Sequence, residues 1–179
     1  MALFSFKPAA IWLEIGFGGG EHLAAQAGRN PNTGFIGCEP FLNGIASLLD
    51  HIDRKQLNNV RIFPGDAREL LDALPDSSIA RCFLLFPDPW PKARHAKRRF
   101  IGPENMPRLA RVLRSCAELR VATDDRQLAD WIRDTLKASP DFTKTYDSPH
   151  PPKDWVPTRY EQKALKAQRN PAYLSYCRM

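Results

Sequence analysis

Apolar residues fall in short runs separated by amphipathic stretches, and this alternation repeats from residue 11 onwards. Ile11 to Ile15 is an apolar run that stops at Gly16, Gly18, Gly19 and Gly20. Glu21 to Ala27 follows in a helix-compatible pattern, so strand, tight turn and helix are predicted in that order. Gly34 to Cys38 and Val60 to Phe63 read as further strands. Between them, Leu42 to Asp53 carries apolar residues at Leu42, Ile45, Leu48, Leu49 and Ile52, the helical period. Ala67 to Leu74 reads as a helix opened by Asp66, and Ile79 to Phe86 is almost wholly apolar, as a strand covered on both faces must be. A loop studded with proline runs from Pro87 to Arg99. Glu104 to Leu113 then reads as helix, Ala117 to Thr123 as strand and Leu128 to Ala138 as helix.

Parallel strands need crossover connections, so this alternation predicts a doubly wound α/β fold, a mostly parallel sheet with helices on both faces. Beyond Pro140 the pattern changes. Phe142 to Tyr146 and Tyr173 to Arg178 look like strands on either side of an irregular segment from Pro149 to Pro157, which predicts an antiparallel strand pair at the C-terminus. No repeat and no linker divides the chain, and residues 1–179 are expected to form a single Rossmann-like domain.

Composition adds a partner class. Hydrophobic residues make up 43% and charged residues 26%, ordinary globular values, but the formal net charge is +6. An excess of Lys and Arg favours polyanions through counterion release, and nucleic acid leads. Cys38, Cys82, Cys116 and Cys177 are scattered, with no CxxC pair and no Cys/His cluster, so no metal site and a reduced, cytoplasmic setting are expected. The opening from Met1 to Phe6 lacks the basic and apolar regions of an export signal. No later apolar run reaches spanning length, so no membrane association is expected.

Candidate chemistry gathers at the predicted carboxyl ends of the strands, where open α/β sheets bind ligands. In Glu14-Ile15-Gly16-Phe17-Gly18-Gly19-Gly20, Gly16 and Gly18 let the backbone approach a ligand closely, although glycines there also serve a bare tight turn. A dinucleotide fingerprint would want its last glycine where Glu21 stands, beside a pyrophosphate. S-adenosylmethionine has no phosphate and carries an ammonium group, so acids at Glu14 or Glu21 suit it. Glu39, about twenty residues beyond the glycine loop, is placed to accept from ribose hydroxyls. Asp66 is placed either to reach an adenine amino group or to cap the helix that follows, and both roles are compatible.

The most specific stretch is Phe86-Pro87-Asp88-Pro89-Trp90-Pro91-Lys92. Prolines on either side restrict the Asp88 backbone and leave its carboxylate to accept from guanine N1 and N2, with Trp90 as a wall. Lys92, Arg94, His95, Lys97, Arg98 and Arg99 follow at once and read as phosphate contacts. Asp124 ends the fifth strand. Thr158, Arg159, Tyr160 and Glu161 offer a hydroxyl, a cation, a ring and a carboxylate, a tetrapeptide that means little alone.

Taken in order, these motifs resemble the bacterial tRNA (guanine-N7-)-methyltransferase family, over nearly the whole chain. The resemblance implies a class I methyltransferase that moves a methyl group from S-adenosylmethionine to a guanine in the variable loop of tRNA, releasing S-adenosylhomocysteine. It implies cofactor contacts from Glu14, Glu39, Asp66 and Asp88, with Asp88 important to catalysis. Substrate contacts are implied from Lys92, Asp124 and Thr158 to Glu161. Many members carry a longer segment before the glycine loop. Arg114-Ser115-Cys116 also stands where a Pro-Gly-Gly turn often precedes the fifth strand. An adenine-N6 methyltransferase and a non-catalytic RNA-binding protein on the same fold are the rival readings. The sequence leaves monomer and homodimer both open.

Overall fold

The computed structural model describes residues 3–179; Met1 and Ala2, where the segment screened for an export signal begins, lie outside the described residues. In chain order the elements are β1 (Ala10–Ile15), α1 (Glu21–Arg29), β2 (Thr33–Cys38), α2 (Leu42–Lys55), β3 (Val60–Phe63), α3 (Ala67–Ala73), β4 (Ile79–Leu85), α4 (Met106–Val112), β5 (Leu113–Thr123), α5 (Arg126–Ala138), β6 (Phe142–Ser148), α6 (Arg159–Lys166) and β7 (Ala172–Arg178). A 3₁₀ turn occupies Ala93–Arg98.

The strands form one sheet in the order β3-β2-β1-β4-β5-β7-β6. β1 to β5 run parallel, and β7 inserts antiparallel between β5 and β6. The chain winds outward from β1 to β3 and then returns to place β4 against β1. The order therefore reverses between β1 and β4, the point at which loops diverge and leave a crevice beyond the carboxyl ends of the strands.

Strand pleating sorts the side chains into two layers, because successive residues point to opposite faces. Leu13 and Ile15 share a core with Leu71 of α3, Leu109 of α4 and Ile132 of α5. Trp12 packs on the other face against Leu23 and Ala27 of α1 and Leu48 of α2. Each fully buried leucine contributes roughly 1.5–3 kcal/mol. A third cluster, with Phe83, Leu85, Ala122 and Tyr173, lies under Trp155 of the 149–157 segment.

Three elements differ from the sequence expectation. The helix expected over Glu104–Leu113 spans only Met106–Val112, since Pro107 sits in its first turn and Leu113 is already extended. Arg114-Ser115-Cys116 makes no turn before β5 but forms a bulge within it. The register jumps from Ile79↔Leu113 to Arg81↔Glu118, and Cys116 takes a left-handed φ of 63°. Residues 159–166 are helical, although only Glu161 and Ala164 of that stretch are buried, too little apolar signal to reveal a helix.

Asn59 shows how the layers are tied. It is buried, and its Nδ2 donates to the carbonyls of Ala27, Asn30 and Thr33 at 3.1, 3.2 and 3.0 Å, closing the end of α1 onto the start of β2. Asn59→Ala removes all three hydrogen bonds, the buried one to Ala27 among them, and is predicted to cost about 1–3 kcal/mol. In urea unfolding the midpoint should fall with an unchanged m-value; an unchanged midpoint would mean that the amide holds nothing.

Candidate active site

A cleft of about 630 Å³ opens over the crevice between β1 and β4, lined among others by Gly16, Gly18, Glu39, Asp66, Phe86 and Asp88. Glu39 fixes its shape. The residue is only 5% exposed, and its carboxylate accepts from the backbone N–H of Gly18 at 2.9 Å and of Phe41 at 3.1 Å. One side chain thus joins the loops that follow β1 and β2. Each carboxylate oxygen has a second lone pair, so both remain able to accept from a ligand. Gly44 permits the arrangement, because a Cβ there would come within 2.3 Å of the Gly18 carbonyl oxygen. Asp66 caps α3 through the Arg68 N–H at 2.8 Å and also lines the cleft.

Phe86 to Trp90 forms the lip. Phe86 and Trp90 hold left-handed φ values of 53° and 43° without being glycines, conformations that cost of order 1–3 kcal/mol each and persist only where the surroundings hold them. Arg99 supplies part of that hold. It is buried, and its guanidinium donates to the carbonyls of Pro89 at 3.1 Å and Trp90 at 3.2 Å while lying 4.9 Å over the Trp131 ring. Arg99 is therefore a brace for the loop, a role that the reading of the whole basic run as phosphate contacts does not include. The other cations fit that reading better: Arg98 stacks 4.7 Å over Trp90 and lines the cleft, and Lys92, Arg94 and Lys97 are exposed. His95 packs edge-on against Trp90 at 5.8 Å.

A second cleft of about 440 Å³ adjoins the first and shares Phe86, Pro87, Asp88 and Tyr160 with it; Asp124 and Arg169 line its far side. Asp124 pairs with the Arg169 guanidinium at 3.0 Å. Tyr160 leans over the glycine loop, so that a Cβ on Gly18 would lie 3.2 Å from its ring. Arg159 lines the first cleft beside it.

The flanking members of that tetrapeptide are turned inward. The Thr158 hydroxyl accepts from the Glu161 N–H at 3.0 Å and the Glu161 carboxylate accepts from the Thr158 N–H at 3.1 Å, a capping box that starts α6. Glu161 also accepts from Trp155 Nε1 and from the Tyr173 hydroxyl, which burial and the nearby carboxylate push well above the usual phenol range. Thr158 and Glu161 thus position Arg159 and Tyr160, and neither lines the two clefts.

Glu14 is likewise not brought to the cleft. Strand alternation points it to the α1 face, where its buried carboxylate sits 2.7 Å from His22 Nδ1, and His22 Nε2 meets the Gln26 amide at 3.3 Å. Sequence reading missed His22; polar His22 and Gln26, spaced i,i+4 on a helix whose neighbours are apolar, were the available signal. Cys38 also lines the cleft, but burial, with Asp66 and Glu39 nearby, pushes its thiol up to about 12, so it stays protonated and offers no nucleophile. Among the described residues no group of three or more His, Cys, Asp or Glu is arranged to hold a metal ion, and no helix is long and apolar enough to cross a membrane.

Comparison with known proteins agrees with this geometry. Residues 8–173 match a family model described as "Putative methyltransferase". The chain is 56% identical over 180 residues to a tRNA (guanine-N(7)-)-methyltransferase of Paramagnetospirillum magneticum, covering 98% of this chain and 75% of that protein. It is 51% identical over 172 residues to one of Caulobacter vibrioides, covering 94% and 76%. Among solved structures, the 16S rRNA methyltransferase KamB superposes with a TM-score of 0.72 at 15% identity, covering 97% of this chain and 90% of that one. TrmN from Thermus thermophilus superposes with a TM-score of 0.70 at 13% identity, covering 96% and 45%. The two structures speak for a methyltransferase fold alone, whereas the sequence identities are high enough to fix descent: this chain belongs to the tRNA (guanine-N(7)-)-methyltransferase family.

Proposed function

We propose that the protein transfers a methyl group from S-adenosylmethionine to N7 of a guanine in the variable loop of tRNA. The observation that supports this reading is the meeting of two clefts at Asp88 and Tyr160, of which we assign the first to the donor and the second to the base. The donor set of the first cleft fits adenosylmethionine. Glu39 keeps lone pairs for the ribose hydroxyls, Asp66 keeps acceptor capacity for the adenine amino group, and Phe41, Ala67 and Phe100 supply apolar surface for the ring. Glu14 serves at one remove, by holding His22 and α1 beneath the glycine loop.

When bound, adenosylmethionine supplies an electrophilic sulfonium methyl. Guanine N7 carries a free lone pair, so the protein needs no general base, and its tasks are orientation and charge. Asp88 and Asp124 accept from guanine N1 and N2, and Tyr160 offers a stacking face. Methylation leaves a positive charge on the purine, which fixed carboxylates on the guanine edge stabilise without reorganising. In A-form RNA the groove that exposes N7 is deep and narrow, so the base must lie in a loop or be turned out, as a variable loop allows. The reduced cytoplasm is the compartment this reading implies.

The direct test incubates the protein with methyl-labelled donor and unmodified tRNA and digests the product to nucleosides. Label in 7-methylguanosine supports the reading; label in N6-methyladenosine, or none at all, contradicts it.

Asp88→Asn is nearly isosteric, yet it removes the stabilising charge and places an amide donor where guanine's own donors need acceptors. Single-turnover methylation should fall roughly a hundredfold or more while tRNA affinity changes little. A wild-type rate would remove Asp88 from catalysis. Arg98 and Arg99 should separate despite being neighbours. Arg98→Ala is expected to reduce the log-log salt slope of tRNA binding by about one. Arg99→Ala should leave that slope alone and instead lower the melting temperature and the turnover, because the Pro89 and Trp90 carbonyls lose their donor. Equal effects on the slope would contradict the brace.

A further inference from the structure

Three cations stand on the wall of the second cleft that the basic loop does not reach: Arg126, Lys163 and Arg169. They come from separate elements. Arg126 opens α5, where the N-terminal end of the helix adds positive potential, and Lys163 projects from α6 with its Nζ 5.3 Å from the Tyr160 ring. Arg169 lies in the turn between α6 and β7, fixed by its N–H to the Ala164 carbonyl at 2.9 Å. All three side chains are exposed.

Their surroundings decide what they bind. Neighbouring Arg133 is satisfied by Asp130 and Asp147. Asp125 is engaged as the cap of α5, accepting from Leu128 N–H at 2.7 Å. Asp124 pairs with the Nε of Arg169 at 3.0 Å; its side chain is 20% exposed against 57% for the arginine, so acid lies deeper and guanidinium outward. Arg169, 57% exposed, thus presents a guanidinium to solvent, and its planar fork of donors suits a phosphate. A nucleotide whose base enters the cleft carries phosphates on both its 5′ and 3′ sides, whereas among the described residues of the basic loop from Lys92 to Arg98 only Arg98 lines either cleft, and that is the first one.

We propose that Arg126, Lys163 and Arg169 form a second binding surface for the tRNA backbone, on the base cleft and separate from the basic loop. Arg169 links this surface to base recognition, since the guanidinium that takes the phosphate also orients the Asp124 carboxylate. The inference rests on the functional reading above and extends it to a strand gripped on both sides of the target base.

The test measures binding of unmodified tRNA between about 50 and 200 mM salt. The double variant Arg126→Ala/Lys163→Ala should lose about two from the log-log slope, and Arg169→Ala about one, with Arg169→Lys restoring it. Adenosylmethionine affinity and the melting temperature, measured alongside, should stay near wild type in the double variant. A wild-type slope in the double variant and in Arg169→Ala would overturn the second surface while leaving the function intact. If instead the wild-type protein fails to methylate unmodified tRNA, the functional reading falls and this inference falls with it.

Discussion

A buried carboxylate must be supplied with donors, and at Glu39 the donors are the backbone N–H groups of Gly18 and Phe41. That single requirement shapes the rest of the site. It draws the glycine loop after β1 toward the start of α2, where only a glycine at position 44 leaves room for the Gly18 carbonyl. The crevice between β1 and β4 is thereby roofed on one side. The opposite side is left to the loop after β4 and to Tyr160 of α6.

The two sides are held by different means. The glycine loop is fixed by a charge, whereas the Phe86 to Trp90 lip is fixed by strain that neighbours sustain: left-handed backbone at both ends, prolines within, and the Arg99 guanidinium donating to two loop carbonyls. Arg99 in turn rests on Trp131 of α5, whose Nε1 donates to the Ile101 carbonyl. The position of Asp88 between the clefts is thus coupled to the packing of α5, which does not line the first cleft. α6 is tied separately, through Glu161 to Trp155 and Tyr173.

Most of the fold was legible because hydrophobic period reports which faces are covered, and in a parallel sheet nearly every strand is covered. β3 spans the four residues expected from sequence, and β4 ends one short of them. What escaped depended on tertiary partners. α6 buries too little to show a period, and the bulge at Cys116 is a register event between strands. The motifs marked many of the residues that line the two clefts, but not their orientations. Arg99 is indistinguishable by sequence from Arg98, yet one stacks on the lip and the other lies beneath it. Glu14 reads as a cleft acid until strand pleating turns it to the α1 face.

Glu39 builds the cleft and, in the proposed function, also holds the donor, so calorimetric titration of adenosylmethionine into wild-type protein and Glu39→Gln tests that role most directly. The substitution keeps the size of the side chain but replaces one acceptor with a donor and removes the charge, and hydrogen bonds to a charged group contribute about 1.5–3 kcal/mol each. The account predicts a loss of roughly ten- to a hundredfold in affinity for adenosylmethionine, with tRNA affinity retained. Wild-type affinity for adenosylmethionine in a folded Glu39→Gln protein would contradict it.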